Sequence, residues 1–385
     1  MGSKDLLLVA GEASGDLHGA RLLQELRNLG FEDEAFGLGG DELKAAGLDS
    51  TAHSSEISVV GIIEVLKILR RARQIFAELL EQVDRRRPTA AVLIDFPEFN
   101  LRLAKALRQR EVPVIYYIGP QVWAWRRGRV KTIARLVDKM LVLFPFEVDF
   151  YRHHGVEAIH VGHPLVDEVP QLPQAWDHGV QEGQPFHVSL LPGSRRSEVE
   201  VLLPILLAAA RRLAEELPVR FSLIRASTIS RQELEAALEH SGLSVTLVSA
   251  DRFRTIASSH LALCAVGTAT LEVGLLGTPM IVTHRVHLGS YLLGRLLVRL
   301  PYASLVNLLL DQEAVPELLQ RRARPDQISR QAVDLLTDRD KIRQVRTSLS
   351  GLRERIGPPG ASRRAAEEVL SYLTEGSAIG AAGQP

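Results

Sequence analysis

Short apolar runs alternating with longer amphipathic stretches constrain this chain more than any other feature. The runs "DLLLVA" (5–10), "AAVLIDF" (90–96), "VIYYI" (114–118), "KMLVLF" (139–144) and "AIHVG" (158–162) form one series. A second opens with "FHVSLL" (186–191) and continues through "RFSLIRA" (220–226), "VTLVS" (245–249), "HLALCAV" (260–266) and "PMIVTH" (279–284). Continuous apolar runs of this length suit strands buried on both faces of a parallel sheet, in which each crossover is a helix. The stretch "LHGARLLQELRNLG" reads as one such helix, closed by Gly30. The pattern predicts an α/β protein made of two Rossmann-like, doubly wound domains. Ligands of such sheets bind beyond the carboxyl ends of the strands, so two domains facing each other imply one cleft.

The length of 385 residues accommodates two domains at roughly 150 residues each. The segment "GHPLVDEVPQLPQAWDHGVQEGQP" (162–185) is rich in Pro, Gly and polar residues, as linkers are. The resulting division is a first domain over 1–163, a linker over 164–185 and a second domain over 186–350. A helical segment over 351–375 and an unstructured tail over 376–385 complete it. Lys plus Arg and Asp plus Glu each number 46, so any nucleic acid or membrane must be met by a local patch. The single Cys264 rules out an internal disulfide and suits a reducing compartment. The start "MGSKDLLLVAGEASGD" reads as a first strand and turn, not a signal peptide. No window reaches the ~18 uninterrupted apolar residues of a membrane span. A cytoplasmic protein is expected.

Besides the stretch 189–200, four strand-to-helix loops, 10–20, 93–107, 119–140 and 264–282, concentrate glycine and polar residues. In "SLLPGSRRSEVE" (189–200) a strand ends at a Gly193-Ser194 turn, and Ser197 with Glu200 has the spacing of a capping box. Backbone N–H groups and the positive helix end would then face one point, with Arg195 and Arg196 adding donors suited to phosphate oxygens. A solvated loop is the plain alternative. In "CAVGTATLEVGLLGTPMIV" (264–282), Gly267 and Thr268 turn and cap a second helix start, and Glu272 lies one turn in, placed to accept hydrogen bonds from a ribose. In "AGEASGDLHGA" (10–20), Gly11, Ser14 and Gly15 allow close backbone approach, Glu12 adds a carboxylate, and Asp16 reads as a helix cap. In "LIDFPEFNLRLAKAL" (93–107), Asp95 closes an apolar strand, where partial desolvation raises a carboxyl pKa and makes it a better proton acceptor. Asn100 reads there as an N-cap and Glu98 as an exposed turn residue.

The segment "GPQVWAWRRGRVKTIARLVDKM" (119–140) carries Trp123, Trp125 and Arg126 ahead of further basic residues. Two large rings on a loop call for something to cover them, which favours an anionic, partly apolar ligand over a merely solvated basic face. Other patterns carry less. The histidines of "YRHHGVEAIHVGHP" (153, 154, 160, 163) match no zinc spacing. "DRD" (338–340) follows Thr337 at a helix start, where a cap explains it better than a metal site. "GLGGDELKAAG" (37–47) lacks G-x-G-x-x-G, and no P-loop or G-x-S-x-G occurs. Phosphate charge is then met by arginine and helix dipoles, with no metal and no cofactor. Segments 61–83 and 287–305 are apolar with interspersed basic residues; they either pack on a core or lie on a membrane surface.

Taken in order, "LVAGEASGDLHGA", "GIIEVL", "IDFPEFN", "PQVWAWRRGRVKTI", "FPFEVDFY", "VGHPLVD", "LLPGSRRSEVE", "GTATLEVGLLGTPMIV" and "VNLLLDQEAVPELLQ" resemble the lipid-A-disaccharide synthases, bacterial glycosyltransferases of the GT-B fold. "GSR" and "GTATLE" are shared with other UDP-sugar enzymes, whereas "VWAWR" with "AGEASGD" is much more specific. The resemblance implies transfer of 2,3-diacylglucosamine from its UDP derivative to the 6-hydroxyl of 2,3-diacylglucosamine 1-phosphate (lipid X), with inversion and release of UDP. It implies Asp95 as the catalytic carboxylate and Arg195, Glu272, Asn307, Glu317 and Gln320 on the donor side, to which the helix starts add Gly193, Ser194, Gly267 and Thr268. Glu12, Ser14, Gly15, Asn100, Trp123, Trp125 and Arg126 fall on the acceptor side. Glu98 stands where Asp is usual and Gly119 where Ser is common, so neither family side chain is indispensable. Peripheral contact with the inner face of the inner membrane follows from acylated substrates, no nucleic acid is expected, and a homodimer stays open. Rival readings are another UDP-N-acetylglucosamine enzyme of this fold, an epimerase or peptidoglycan-type transferase, and a non-catalytic UDP-sugar-binding protein.

Overall fold

A computed structural model describes residues 5–57, 65–124, 127–178, 183–286 and 300–381. By internal contacts the chain divides into two units, residues 1–164 with 358–385, and residues 165–357. Each is a parallel sheet wound with helices.

In the first unit the elements run β1 (Leu6–Ala10), α1 (Ala13–Asn28), β2 (Ala35–Gly39), α2 (Asp41–Ala45), β3 (Asp49–His53) and α3 (Val65–Arg86). They continue as β4 (Ala90–Ile94), α4 (Pro97–Arg108), β5 (Val114–Tyr117), α5 (Val130–Leu136), β6 (Lys139–Val142), α6 (Pro145–Arg152) and β7 (Glu157–His160). The strands lie in the order β3-β2-β1-β4-β5-β6-β7, all parallel. Every residue of β1 and β4 is buried, which is why these runs show no alternation. One core lies on each face of this sheet: Leu7, Val9 and Leu93 on one, Leu6, Leu8 and Ile94 on the other.

The second unit runs α7 (Leu165–Glu168), β8 (Phe186–Leu191), α8 (Arg196–Glu216), β9 (Val219–Ile224), α9 (Arg231–Ser241), β10 (Val245–Val248), α10 (Arg252–Ala257) and β11 (Leu261–Ala265). After α11 (Thr268–Leu275) and β12 (Met280–His284) come α12 (Leu305–Leu310), β13 (Glu317–Leu319), α13 (Pro325–Thr337), α14 (Arg339–Ser350) and α15 (Leu352–Ile356). Strand order is β10-β9-β8-β11-β12-β13. The stretch read as a linker is partly built into this unit, because the Trp176 indole donates to the His260 carbonyl at 2.8 Å.

The final helix, α16 (Ala361–Ala381), belongs to the first unit. Its Ala365, Ala366, Val369 and Leu373 join the core formed by Leu22, Leu23 and Leu26 of α1. Lys139 pairs with Glu368 at 3.1 Å. The helix extends to Ala381, into the stretch read as a tail.

Strands β2, β3 and β13 carry too weak a signal to be read from sequence. β2 is "AFGLG", and its Gly37 has φ +144°, where a Cβ would lie 2.0 Å from the Leu8 carbonyl oxygen. β3 is the polar run "DSTAH". The glycine-rich segment that follows β2 serves an internal carboxylate: Asp16 of α1 accepts from the N–H groups of Gly40, Glu42 and Leu43 at 2.6, 3.0 and 3.1 Å. Asp16 is thus a cap, but for α2 rather than for its own helix. In the amphipathic α3, Ile75, Leu79 and Val83 pack into the core, so this part of its apolar face is covered by protein. Residues 61–64 of that segment and 287–299 of the second one lie outside the described residues.

Because three N–H groups at a buried helix start depend on one carboxylate, Asp16→Ala is expected to cost about 2–3 kcal/mol. Urea unfolding followed by far-ultraviolet circular dichroism should show a lower midpoint; an unchanged one would mean α2 needs no such cap.

Candidate active site

In both sheets the strand order reverses between the first strand and its fourth-strand counterpart, β1 beside β4 and β8 beside β11. At such a point successive crossovers leave toward opposite faces and open a crevice beyond the strand ends. The residues that follow these four strands are Gly11-Glu12, Asp95-Phe96, Pro192-Gly193-Ser194-Arg195 and Val266-Gly267-Thr268. Four of the five loops singled out in the sequence therefore stand at the two reversal points; the tryptophan-bearing one follows β5 instead.

At the first one, Asp95 and Phe96 both have left-handed backbones, φ +47° and +48°. Two such residues in a row are strained and need support. The Asp95 carbonyl accepts from Asn100 Nδ2 at 2.8 Å and from the Tyr116 hydroxyl at 2.7 Å. Asn100 Nδ2 also reaches the Ile94 carbonyl at 3.2 Å. Asn100 is thus no N-cap, a position held by Phe96; it lies one turn into α4, fully buried, and fastens the end of β4. The Phe96 ring lies over Gly11, where a Cβ would come within 2.2 Å of it. Gly11 is required by this contact with protein.

The turn leaves the Asp95 carboxyl half-buried, and burial first, then the neighbouring Glu12 charge, pushes its pKa up to about 6. Glu12 and Ser14 are exposed, Gly15 buried beneath them. Glu98 is exposed and paired with Arg129, in keeping with a turn residue of no special chemistry.

Trp123 departs from the expected picture. Its ring is buried, edge-on to Phe146 with centroids 4.9 Å apart. Its indole N–H donates to Glu147 Oε1 at 2.8 Å. The other Glu147 oxygen accepts from the N–H groups of Leu143 and Phe144 at the start of α6. Burial pushes the Glu147 carboxyl up to about 7. Protein covers this ring, so Trp123 anchors the loop and does not present a face to ligand. Trp125 and Arg126 lie outside the described residues.

At the second reversal point α8 begins at Arg196, with Arg195 as N-cap. The expected Ser197–Glu200 capping box gives way to one two residues earlier in register, Arg195–Glu198: Glu198 Oε2 accepts from Ser194 N and Arg195 N, each at 3.3 Å. Glu198 Oε1 takes the Arg195 guanidinium at 2.8 Å. Thr228 Oγ1 donates to the Ser194 carbonyl and steadies the loop from α9's side. Beside it, Gly267 is the N-cap of α11 and has φ +154°; Thr268 is already helical, so its hydroxyl is not the cap. Glu272 is largely buried and its pKa is raised chiefly by burial, while Arg252 lies 3.3 Å away and opposes that shift.

Asn307 and Glu317 meet, but their polar atoms face the protein. Glu317 accepts from Ala303 N, Ser304 N and Ser304 Oγ between 2.8 and 2.9 Å, and from Asn307 Nδ2 at 2.9 Å. Asn307 also makes a pair of bonds with the Val315 backbone. With its amide turned so that nitrogen meets the Val286 carbonyl and oxygen the Val286 N–H, Gln320 satisfies both backbone groups at 3.1 and 3.2 Å. These three residues build the wall beside β12, a role that motif matching could not separate from ligand contact.

The remaining patterns resolve locally. His153, His154 and His160 each bond a backbone carbonyl. Asp338, not Thr337, caps α14, accepting from Asp340 N and Lys341 N. Among the described residues no group of three potential metal ligands occurs.

The family profile described as lipid-A-disaccharide synthetase matches residues 6–368. A lipid-A-disaccharide synthase from Myxococcus xanthus is 43% identical over 376 residues, covering 96% of this chain and 98% of that protein. One from Geobacter sulfurreducens is 41% identical, with 96% and 98% covered. Among solved structures, MurG from Acinetobacter baumannii superposes with a TM-score of 0.63 at 13% identity, covering 96% of this chain and 99% of that one. A UDP-GlcNAc 2-epimerase from Neisseria meningitidis gives 0.64 at 12%, with 95% and 100% covered. At such identities the two structures speak for the fold alone. The sequence relatives speak for more, and with a profile match across nearly its whole length the chain belongs to the lipid-A-disaccharide synthetase family.

Proposed function

We propose that the protein transfers 2,3-diacylglucosamine from UDP to the 6-hydroxyl of 2,3-diacylglucosamine 1-phosphate, inverting the anomeric centre and releasing UDP. The observation that carries this reading is Asp95: a carboxyl held on a strained, doubly pinned turn at a sheet reversal point, with its pKa raised to about 6. A base of that pKa is ionised at neutral pH yet basic enough to take a proton from an alcohol as its oxygen attacks. As the glycosidic bond to UDP breaks, negative charge grows on the diphosphate. The Arg195 guanidinium, the loop N–H groups and the starts of α8 and α11 are the groups suited to stabilise it. Glu272 serves the ribose, and Asn307, Glu317 and Gln320 support that wall from within. Family membership supports the choice of substrates. No helix among the described residues is long and apolar enough to cross a membrane; contact with the inner face of the inner membrane is part of the proposal, because both substrates carry acyl chains.

Incubation with both acylated substrates and mass analysis of the product tests the reading directly. Turnover that is indifferent to acyl chains would point to an epimerase or peptidoglycan-type activity, and UDP binding without product to a binding protein. Asp95→Asn is expected to lower kcat by about 10²–10⁴-fold while UDP still binds; full activity in this variant would remove Asp95 from the chemistry. Since the ionised form is the base, kcat/KM should fall as pH drops through about 6. The Glu12 charge is one of the causes of that raised value, so Glu12→Gln should shift the acid limb to lower pH. An acid limb that ignores both substitutions would contradict the assignment. Arg195→Ala should raise the donor KM about tenfold, the worth of one charge-assisted hydrogen bond; an unaltered donor dependence would count against Arg195.

A further inference from the structure

We propose that Glu198 is an internal anion that occupies the donor-diphosphate cradle and must be displaced when the donor binds. The inference rests on the reading of this loop as the donor site. Two loop N–H groups and the guanidinium assigned there to the diphosphate are engaged by this one carboxylate. The Ser194 and Arg195 N–H groups point to Oε2 at 3.3 Å, and the Arg195 guanidinium holds Oε1 at 2.8 Å. Even the glycine of the loop belongs to the arrangement. Gly193 has φ +121°, and a Cβ on it would lie 2.7 Å from Oε2. A carboxylate and a phosphate present similar oxygen acceptors to N–H donors. What cradles one cradles the other, and the two anions cannot share the place.

The 3.3 Å bonds are long for charge-assisted contacts, and the Arg195 side chain is 78% exposed, so the grip is one a diphosphate with more charge can outbid. Glu198 sits on the first turn of α8, where the positive helix end favours a negative side chain and keeps the loop ordered when empty. The same charge then opposes the incoming diphosphate. The Glu198 carboxylate therefore sets donor affinity without touching the sugar, trading order in the empty loop against competition in the filled one.

The test is calorimetric titration of the full chain with UDP and, separately, with uridine, for the native protein and Glu198→Gln. Glutamine keeps an acceptor for the loop N–H groups but lacks the charge. UDP is expected to bind Glu198→Gln about fivefold more tightly, and uridine, which has no phosphate, equally well. If UDP binds the native protein and the variant binds it no better, or if both ligands shift together, Glu198 is only a structural cap and the inference falls while the donor reading stands. If UDP binds neither form, the donor reading itself fails and takes the inference with it. Should Glu198→Gln not fold, Glu198→Asp, which withdraws the charge by one methylene, is expected to shift UDP affinity in the same direction by a smaller factor.

Discussion

Parallel strand pairing is the constraint on which everything else depends. Parallel neighbours cannot be joined by a tight turn, so each strand end must feed a helix that crosses back over a face of the sheet. Both faces are thereby covered, and the strands become apolar throughout. The crossovers divide between β1 and β4 and again between β8 and β11, and at such points a crevice opens beyond the strand ends. Polar, glycine-bearing and charged residues gather there because these are places where backbone and side chains can meet a ligand.

A second physical theme is the satisfaction of backbone N–H groups by acidic side chains. Asp16 serves α2, Glu147 serves α6, Glu198 serves α8, Glu317 serves α12 and Asp338 serves α14. Helix starts expose unpaired donors and a positive field, so an anion from the same chain is the nearest partner. Anion-seeking geometry is therefore commoner than anion binding. What distinguishes the β8–α8 loop is an engaged carboxylate held loosely, beside an exposed arginine and a second helix start.

Much of the architecture was legible because burial on both sheet faces writes continuous apolar runs into a chain. Strands β1, β4 and β8 follow their runs closely. Strands β2, β3 and β13 were not legible, since glycine, polar residues or brevity erase that signal. Site residues divide along similar lines. Asp95 stood out as a charge ending an apolar strand. The roles of Asn100, Trp123, Asn307 and Glu317 did not, because a polar or aromatic residue in a loop looks alike whether its partner is ligand or protein.

The amino-acid sequence alone determined the class of the molecule, two doubly wound α/β halves, and the loops in which polar chemistry collects, because periodicity and turn residues are local properties. Only the tertiary structure decided partners. It put Asp16 on a neighbouring helix, returned α16 to the first unit and pinned the strained Asp95 turn with the Tyr116 hydroxyl. Those choices depend on which strand ends come to lie side by side, and that is settled by packing across long separations in the chain, which no local pattern encodes.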